Sequence, residues 1–99
     1  MEYFELTTGY KMPALGIGTW QLKGKTCTES VRTALKLGYD HIDTADMYAN
    51  HRAIRPVLEN YDTDDIFITS KVWRTDLRHD DVIEMGNRTL SELGIDYLD

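Results

Sequence analysis

Near its middle the chain reads Gly38-Tyr39-Asp40-His41-Ile42-Asp43-Thr44-Ala45, a turn followed by a short strand-like run that contains a carboxylate. Comparable runs, Leu15–Thr19 and Ile66–Val72, lie on either side of it, and Tyr97–Asp99 has the composition of the start of a fourth. Short segments that are rich in Ile, Val and Thr and bounded by turn residues are typical of buried strands. The pattern therefore predicts three strands and the beginning of another.

Helical segments separate these strands. Val31, Ala34 and Leu35 follow helical spacing between the first two strands, with Thr28 as a possible N-cap and Gly38 at the end. Each interval between strands is long enough for a right-handed βαβ crossover. The alternation therefore predicts a parallel sheet with helices outside it.

Local sequence features also predict two later helices and a hairpin that precedes the first strand. The third helix is the best marked, and the second is weaker. Asp81 and Glu84 have the spacing of a capping box before the third helix, and Gly94 is placed to end that helix. Pro56 lacks an amide donor, so the second helix could start as late as that residue. Ahead of the first strand, a hairpin is predicted with Gly9 in its turn.

Two architectures fit a parallel sheet with outer helices, the open doubly wound fold and the closed eight-stranded barrel. Gly16-Ile17-Gly18 is the candidate dinucleotide loop, but Gln21 stands where the third Gly or Ala of a Rossmann fingerprint belongs. The fingerprint therefore fails. On spacing alone, the two glycines are better explained by backbone packing at a strand end.

Composition excludes several classes of function. The 99 residues carry 11 Lys and Arg against 17 Asp and Glu, a formal net charge of −6, which disfavours a nucleic acid or an anionic membrane as partner. Cys27 is the single cysteine, no spacing of Cys and His suggests a metal site, and no apolar run reaches the roughly 18 residues that span a bilayer. We expect a cytoplasmic protein without a bound metal.

Three polar residues lie at or just beyond the ends of predicted strands: Asp43, Tyr48 and Lys71. Strand ends share one face of a parallel α/β fold, and a carboxylate within a strand needs a cation, so Lys71 is the expected partner of Asp43. An ammonium group beside a phenol stabilises the phenolate and lowers the pKa of the phenol. The triplet therefore predicts a proton-donating unit, with a buried structural ion pair and a loop tyrosine on the rim as the alternatives.

Longer motifs recur in order along the chain. Besides the segment quoted above they are Leu6-Thr7-Thr8-Gly9, Met12-Pro13-Ala14-Leu15-Gly16-Ile17-Gly18-Thr19-Trp20, Met47-Tyr48-Ala49-Asn50 and Ile68-Thr69-Ser70-Lys71-Val72-Trp73. Together they resemble the N-terminal part of the aldo-keto reductase family. The resemblance implies an α/β fold, the N-terminal part of a (β/α)8 TIM barrel, with a β-hairpin, about three βα units and the start of strand 4. Residues 1–99 would then be an incomplete segment of one barrel domain.

The resemblance also implies an activity, the NADPH-dependent reduction of aldehydes or ketones to alcohols. It implies catalytic roles for Asp43, Tyr48 and Lys71. The cofactor would lie against Gly18, Thr19, Trp20 and Asp43, and a small-molecule carbonyl substrate against Trp20, Met47 and Trp73. A non-enzymatic ligand-sensing or assembly module on the same scaffold is the alternative, because a fold does not dictate a function.

The chain departs from the family pattern at two points. The family usually has Glu where this chain has His51, which is either a substrate-gate residue or, as we expect, a surface residue. The family's catalytic His, in a His-Trp-Pro segment on strand 4, would follow Asp99, as would the loops that hold the cofactor phosphates. The isolated 99 residues are therefore expected to be inactive, and to associate with the remainder of the barrel or with themselves. His41 is expected to be a packed structural residue that points away from Asp43.

Overall fold

The computed structural model describes residues 2–99. Its strands are β1 (Tyr3–Glu5), β2 (Lys11–Pro13), β3 (Ile17–Gly18), β4 (His41–Asp43) and β5 (Phe67–Thr69). Its helices are α1 (Gly24–Lys36), α2 (His51–Leu58) and α3 (His79–Leu93), and single 310 turns cover Asp46–Tyr48 and Thr63–Asp65. Among the described helices, none has the length and apolarity to cross a membrane.

The strands form two separate sheets. β1 and β2 make an antiparallel hairpin, and Gly9 in its turn has a φ of +90°, a conformation that glycine adopts without steric cost. β3, β4 and β5 make a parallel sheet with β4 in the middle. Gly18 is in register with Asp43, and Asp43 with Thr69, so the carboxyl ends of the three strands lie together. The predicted hairpin and parallel sheet are confirmed.

The core lies between one face of the parallel sheet and the helices. Ile42 and Ile68, at the centres of β4 and β5, are fully buried, and the side chains of α1, α2 and α3 cover them. The helices contribute to this core the buried side chains of Val31, Leu35, Ile54, Val57, Leu58 and Leu93, with Cys27 beside them. Cys27 is fully buried, and this burial raises the pKa of its thiol, as is typical of a cysteine packed in an apolar core.

The opposite face of the sheet carries the strand residues that alternate along the chain with the buried core residues. His41 and Asp43 are two residues apart in β4 and therefore share that face, so the expectation that His41 points away from Asp43 was wrong. The His41 ring bonds the Pro13 carbonyl at 3.1 Å and the Thr69 hydroxyl at 3.3 Å, as a packed structural histidine should. A Cβ on Gly16 would lie 2.8 Å from the His41 ring, which explains that glycine by packing.

Helices α1 and α2 begin earlier than their sequences suggest. Lys23 is the N-cap of α1, and the hydroxyl of Thr28 instead donates to the Ala53 carbonyl of α2 at 2.6 Å. α2 begins at His51, because the amides of Ala53 and Ile54 both bond the carbonyl of Asn50, and Pro56 is accommodated within the helix. Thr28 therefore links two helices and caps neither.

Helix α3 and the last residues follow their predictions in part. Arg78 is the N-cap of α3, without a side-chain hydrogen bond, so the predicted capping box of Asp81 and Glu84 was wrong. Asp81 lies instead in the first turn, where its negative charge interacts favourably with the helix dipole. Gly94 ends the helix with a φ of +70°, as predicted. Residues 97–99 form no regular strand, but the Asp99 amide donates to the Ile68 carbonyl at 3.0 Å, so the chain begins to pair with β5.

Candidate active site

The carboxyl ends of β4 and β5 bring an acid and a base together. Asp43 is the last residue of β4, and Lys71 lies two residues beyond β5. The Lys71 ammonium donates to Asp43 Oδ1 and, at 3.1 Å, to the Thr44 carbonyl oxygen. The expected ion pair between Lys71 and Asp43 therefore forms. Because the two side chains are 48% and 46% exposed, it is not the buried ion pair that the structural alternative required.

Tyr48 completes this group from the 310 turn that follows β4. The Lys71 ammonium lies 5.4 Å from the centroid of the Tyr48 ring. A second ammonium, that of Lys23, donates to the Tyr48 carbonyl oxygen at 2.5 Å. The structure therefore brings Asp43, Tyr48 and Lys71 together, with the Lys71 ammonium over the Tyr48 ring, while their roles in catalysis stay a prediction.

A cleft of about 410 Å³ opens beside Tyr48 and Lys71. Met47, Trp73 and Leu77 supply apolar walls, and the Arg74 guanidinium lies 4.9 Å from the centroid of the Trp73 rings. Apolar walls around a few polar groups are typical of small-molecule sites. Two of the three predicted substrate residues, Met47 and Trp73, line this cleft, whereas Trp20 is 63% exposed and does not.

The predicted cofactor residues lie along the end of β3. Gly18 faces open space, since a Cβ there would meet no atom within 4 Å. Thr19 is fully buried, and both its amide, at 3.0 Å, and its hydroxyl, at 3.2 Å, donate to the Asp43 carbonyl oxygen. The open backbone of Gly18 and the exposed indole of Trp20 leave the end of β3 accessible to a ligand.

Asn50 is a structural residue of the site that the sequence analysis missed. Its side chain is buried, accepts a hydrogen bond from the Thr44 hydroxyl at 2.7 Å, and donates to the carbonyls of Thr19 at 2.9 Å and Leu22 at 3.1 Å. It therefore ties the loop that carries Trp20 to the end of β4. In the sequence, Asn50 could be noticed only as a polar residue directly before the apolar stripe of α2. Such a residue is equally typical of an ordinary helix N-cap.

His51 is buried, so the expectation that it lies at the surface was wrong. Its Nδ1 lies 3.1 Å from Glu92 Oε1, and its Nε2 lies 2.9 Å from the Ser70 hydroxyl. Because α2 starts at His51, that side chain falls three residues before Ile54 on the buried stripe of the helix. The burial of His51 could not be predicted because the sequence did not show that α2 starts at this residue.

Arg88 and Asp46 form an ion pair close to His51. The guanidinium Nη2 is 3.2 Å from Asp46 Oδ1, and this hydrogen bond raises the pKa of Arg88. Asp46, His51 and Glu92 offer potential metal ligand atoms within 4.8 Å of one another. The two carboxylates already face the guanidinium groups of Arg88 and, at 3.7 Å, Arg52, and the absence of a metal stays a prediction.

A β-hairpin followed by βα units, with polar side chains gathered where the parallel strands end, defines the N-terminal part of a (β/α)8 barrel. The sequence model of the Aldo/keto reductase family matches residues 14–99. The chain belongs to this family.

Named relatives agree with that assignment. The chain is 44% identical over 103 residues to "Aldo-keto reductase family 4 member C11" of Arabidopsis thaliana, covering 98% of this chain and 33% of the relative. It is 37% identical over 105 residues to the NAD(P)H-dependent D-xylose reductase of Scheffersomyces stipitis, covering 100% and 33%. It thus spans about a third of the length of these relatives.

A solved structure shows the same arrangement. The aldose reductase of Schistosoma japonicum superposes with a TM-score of 0.94 at 37% sequence identity. The superposition covers 100% of this chain and 35% of that one. The predicted family and fold class are confirmed.

Proposed function

We propose that the protein containing this chain is an NADPH-dependent oxidoreductase that reduces aldehydes or ketones to alcohols, with Tyr48 as the proton donor. The observation that carries the proposal is the position of the Lys71 ammonium, which pairs with Asp43 and lies 5.4 Å from the Tyr48 ring centroid at the edge of the cleft. The family's named reductases support the general activity.

The proton transfer follows from the charges of the three residues. The Tyr48 hydroxyl would donate its proton to the carbonyl oxygen of the substrate as negative charge develops there. The Lys71 cation, which lies 5.4 Å from the ring centroid, would stabilise the negative charge left on the tyrosine side chain after this transfer. Asp43, paired with Lys71, holds the ammonium group in place, so each of the three has a separate task.

The proposed cofactor site lies beside this group. Gly18, Thr19, Trp20 and Asp43 would hold the nicotinamide end, Gly18 by its open backbone and Trp20 by its exposed indole. When bound, the cofactor would supply the hydride. Met47 and Trp73 would face the substrate and exclude water from the cleft, and Trp20 would border both ligands.

Replacing Tyr48 with Phe in the full-length protein tests the proposal. Tyr48→Phe removes the donated proton and little else, so kcat for the reduction of glyceraldehyde by NADPH should fall by about 100- to 10,000-fold. The affinity for NADPH, measured by quenching of protein fluorescence, should stay nearly unchanged. Steady-state kinetics of both proteins give the comparison.

Tyr61→Phe is the matched control, because Tyr61 lies beyond the end of α2 and is 39% exposed. It should leave kcat unchanged. If Tyr48→Phe reduced glyceraldehyde as fast as the unmodified protein, Tyr48 would not be the acid. Tight ligand binding with no turnover in either protein would favour the non-enzymatic module.

A further inference from the structure

Tyr48 lies on a segment with little regular structure of its own. A single 310 turn covers Asp46–Tyr48, Ala49 has a left-handed φ of 54°, and α2 starts at His51. Such a segment is positioned by what holds its two ends. The contacts of Asp46 and His51 therefore contribute to the position of the Tyr48 ring, beside the direct hydrogen bond from the Asp46 amide to the Lys71 carbonyl oxygen at 3.1 Å.

One face of α3 holds both ends. Arg88 Nη2 lies 3.2 Å from Asp46 Oδ1 at the first end, and Glu92 Oε1 lies 3.1 Å from His51 Nδ1 at the other. Arg88 and Glu92 are four residues apart, so they are neighbours along the same side of the helix. The segment that carries Tyr48 is thus clamped by one turn of α3.

His51 also reaches the strand end that carries Lys71. An ionised carboxylate only accepts hydrogen bonds, so the Glu92 contact places a hydrogen on His51 Nδ1. The other ring nitrogen, Nε2, lies 2.9 Å from the hydroxyl of Ser70, and Ser70 immediately precedes Lys71. With a side chain only 2% exposed, His51 spans the distance between α3 and the end of β5.

We propose that His51 is a positioning residue, which, together with Glu92 and Ser70, sets the separation between the Tyr48 ring and the Lys71 ammonium. The proposal rests on the function proposed above. His51 acts through Tyr48 and Lys71 and does not itself touch the reacting atoms.

Three substitutions in the full-length protein test this role. His51→Leu fills the space but loses both hydrogen bonds, so kcat with glyceraldehyde and NADPH should fall by about 10- to 100-fold while the Kd for NADPH stays unchanged. Ser70→Ala removes one of the two bonds and should lower kcat about 5-fold. His51→Gln can donate to Glu92 and accept from Ser70, so it should restore most of the rate.

Arg55→Leu is the matched control. The Arg55 Nη1 atom donates to the Ser91 carbonyl at 2.9 Å, so this variant also removes a polar contact between α2 and α3, but one away from Tyr48. It should lower the melting temperature and leave kcat per folded molecule unchanged. A loss of kcat in Arg55→Leu equal to that in His51→Leu would overturn the proposal.

Crystal structures of the variants give a readout that does not depend on turnover. The 5.4 Å separation between Lys71 Nζ and the Tyr48 ring should persist in His51→Gln and lengthen in His51→Leu. If His51→Leu fails to fold, Ser70→Ala decides by the same two measurements. Unchanged kcat and unchanged separation in Ser70→Ala and His51→Leu would refute the positioning role, whereas an inactive unmodified protein would instead refute the proposed function.

Discussion

Ala49 adopts a left-handed backbone conformation, with a φ of 54°, immediately after the proposed proton donor. A residue with a Cβ atom pays about 1 kcal/mol or more in that region, because the Cβ crowds the following carbonyl oxygen. The same residue ends the 310 turn that carries Tyr48. Strain is thus located at the site, where the hydrogen bonds of Asn50 and His51 hold the segment in place.

Replacing Ala49 with Gly should relieve this strain. We expect Ala49→Gly to raise the free energy of unfolding of the full-length protein by about 1 kcal/mol, measured by denaturant titration. Ala53→Gly is the control, since Ala53 lies within α2 and glycine in a helix interior costs about 1 kcal/mol. Destabilisation of the two variants by equal amounts would show that Ala49 carries no strain.

At the scale of elements, the convergence of Asp43 and Lys71 could be predicted because the ends of parallel strands always share one edge of a sheet. The contacts of Asn50 and His51 could not be predicted in the same way. They depend on the residue at which α2 begins, and Pro56 suggested a later start than the structure has. One helix boundary therefore decided whether His51 was a surface residue or a buried one.

Helix ends were the least predictable features for a related reason. Gly94 and Gly9 were correctly assigned, because glycine adopts a positive φ without steric cost, whereas the residue type of Ala49 gave no sign of its positive φ. Thr28 and Asp81, by contrast, were assigned as caps from their residue types alone. In the structure Thr28 bonds a carbonyl of α2 instead, and a contact between helices cannot be deduced from local sequence.

At the scale of the whole molecule, the parallel sheet of residues 2–99 has two open edges. β3 and β5 each pair with β4 on one side only, apart from the two hydrogen bonds between Asp99 and Ile68 of β5. Leu15 and Leu37 are 51% and 74% exposed. Open strand edges and exposed apolar side chains favour pairing with further chain, either the rest of a barrel or another copy.

The 99 residues prepared alone should therefore self-associate and should not reduce glyceraldehyde with NADPH. Analytical ultracentrifugation over a range of concentrations measures the first property, and the absorbance of NADPH the second. The full-length protein is the reference for both. A monomeric segment with turnover comparable to the full-length protein would contradict both expectations.

The most direct measurement compares two lysines that both contact Tyr48. Lys71 faces the ring, whereas Lys23 bonds the backbone carbonyl. In the full-length protein, Lys71→Met should lower kcat by about 100-fold or more, because the phenolate loses its cation, while Lys23→Met should leave kcat nearly unchanged. Equal rates for Lys71→Met and the unmodified protein would contradict the claim that this ammonium group makes Tyr48 a proton donor.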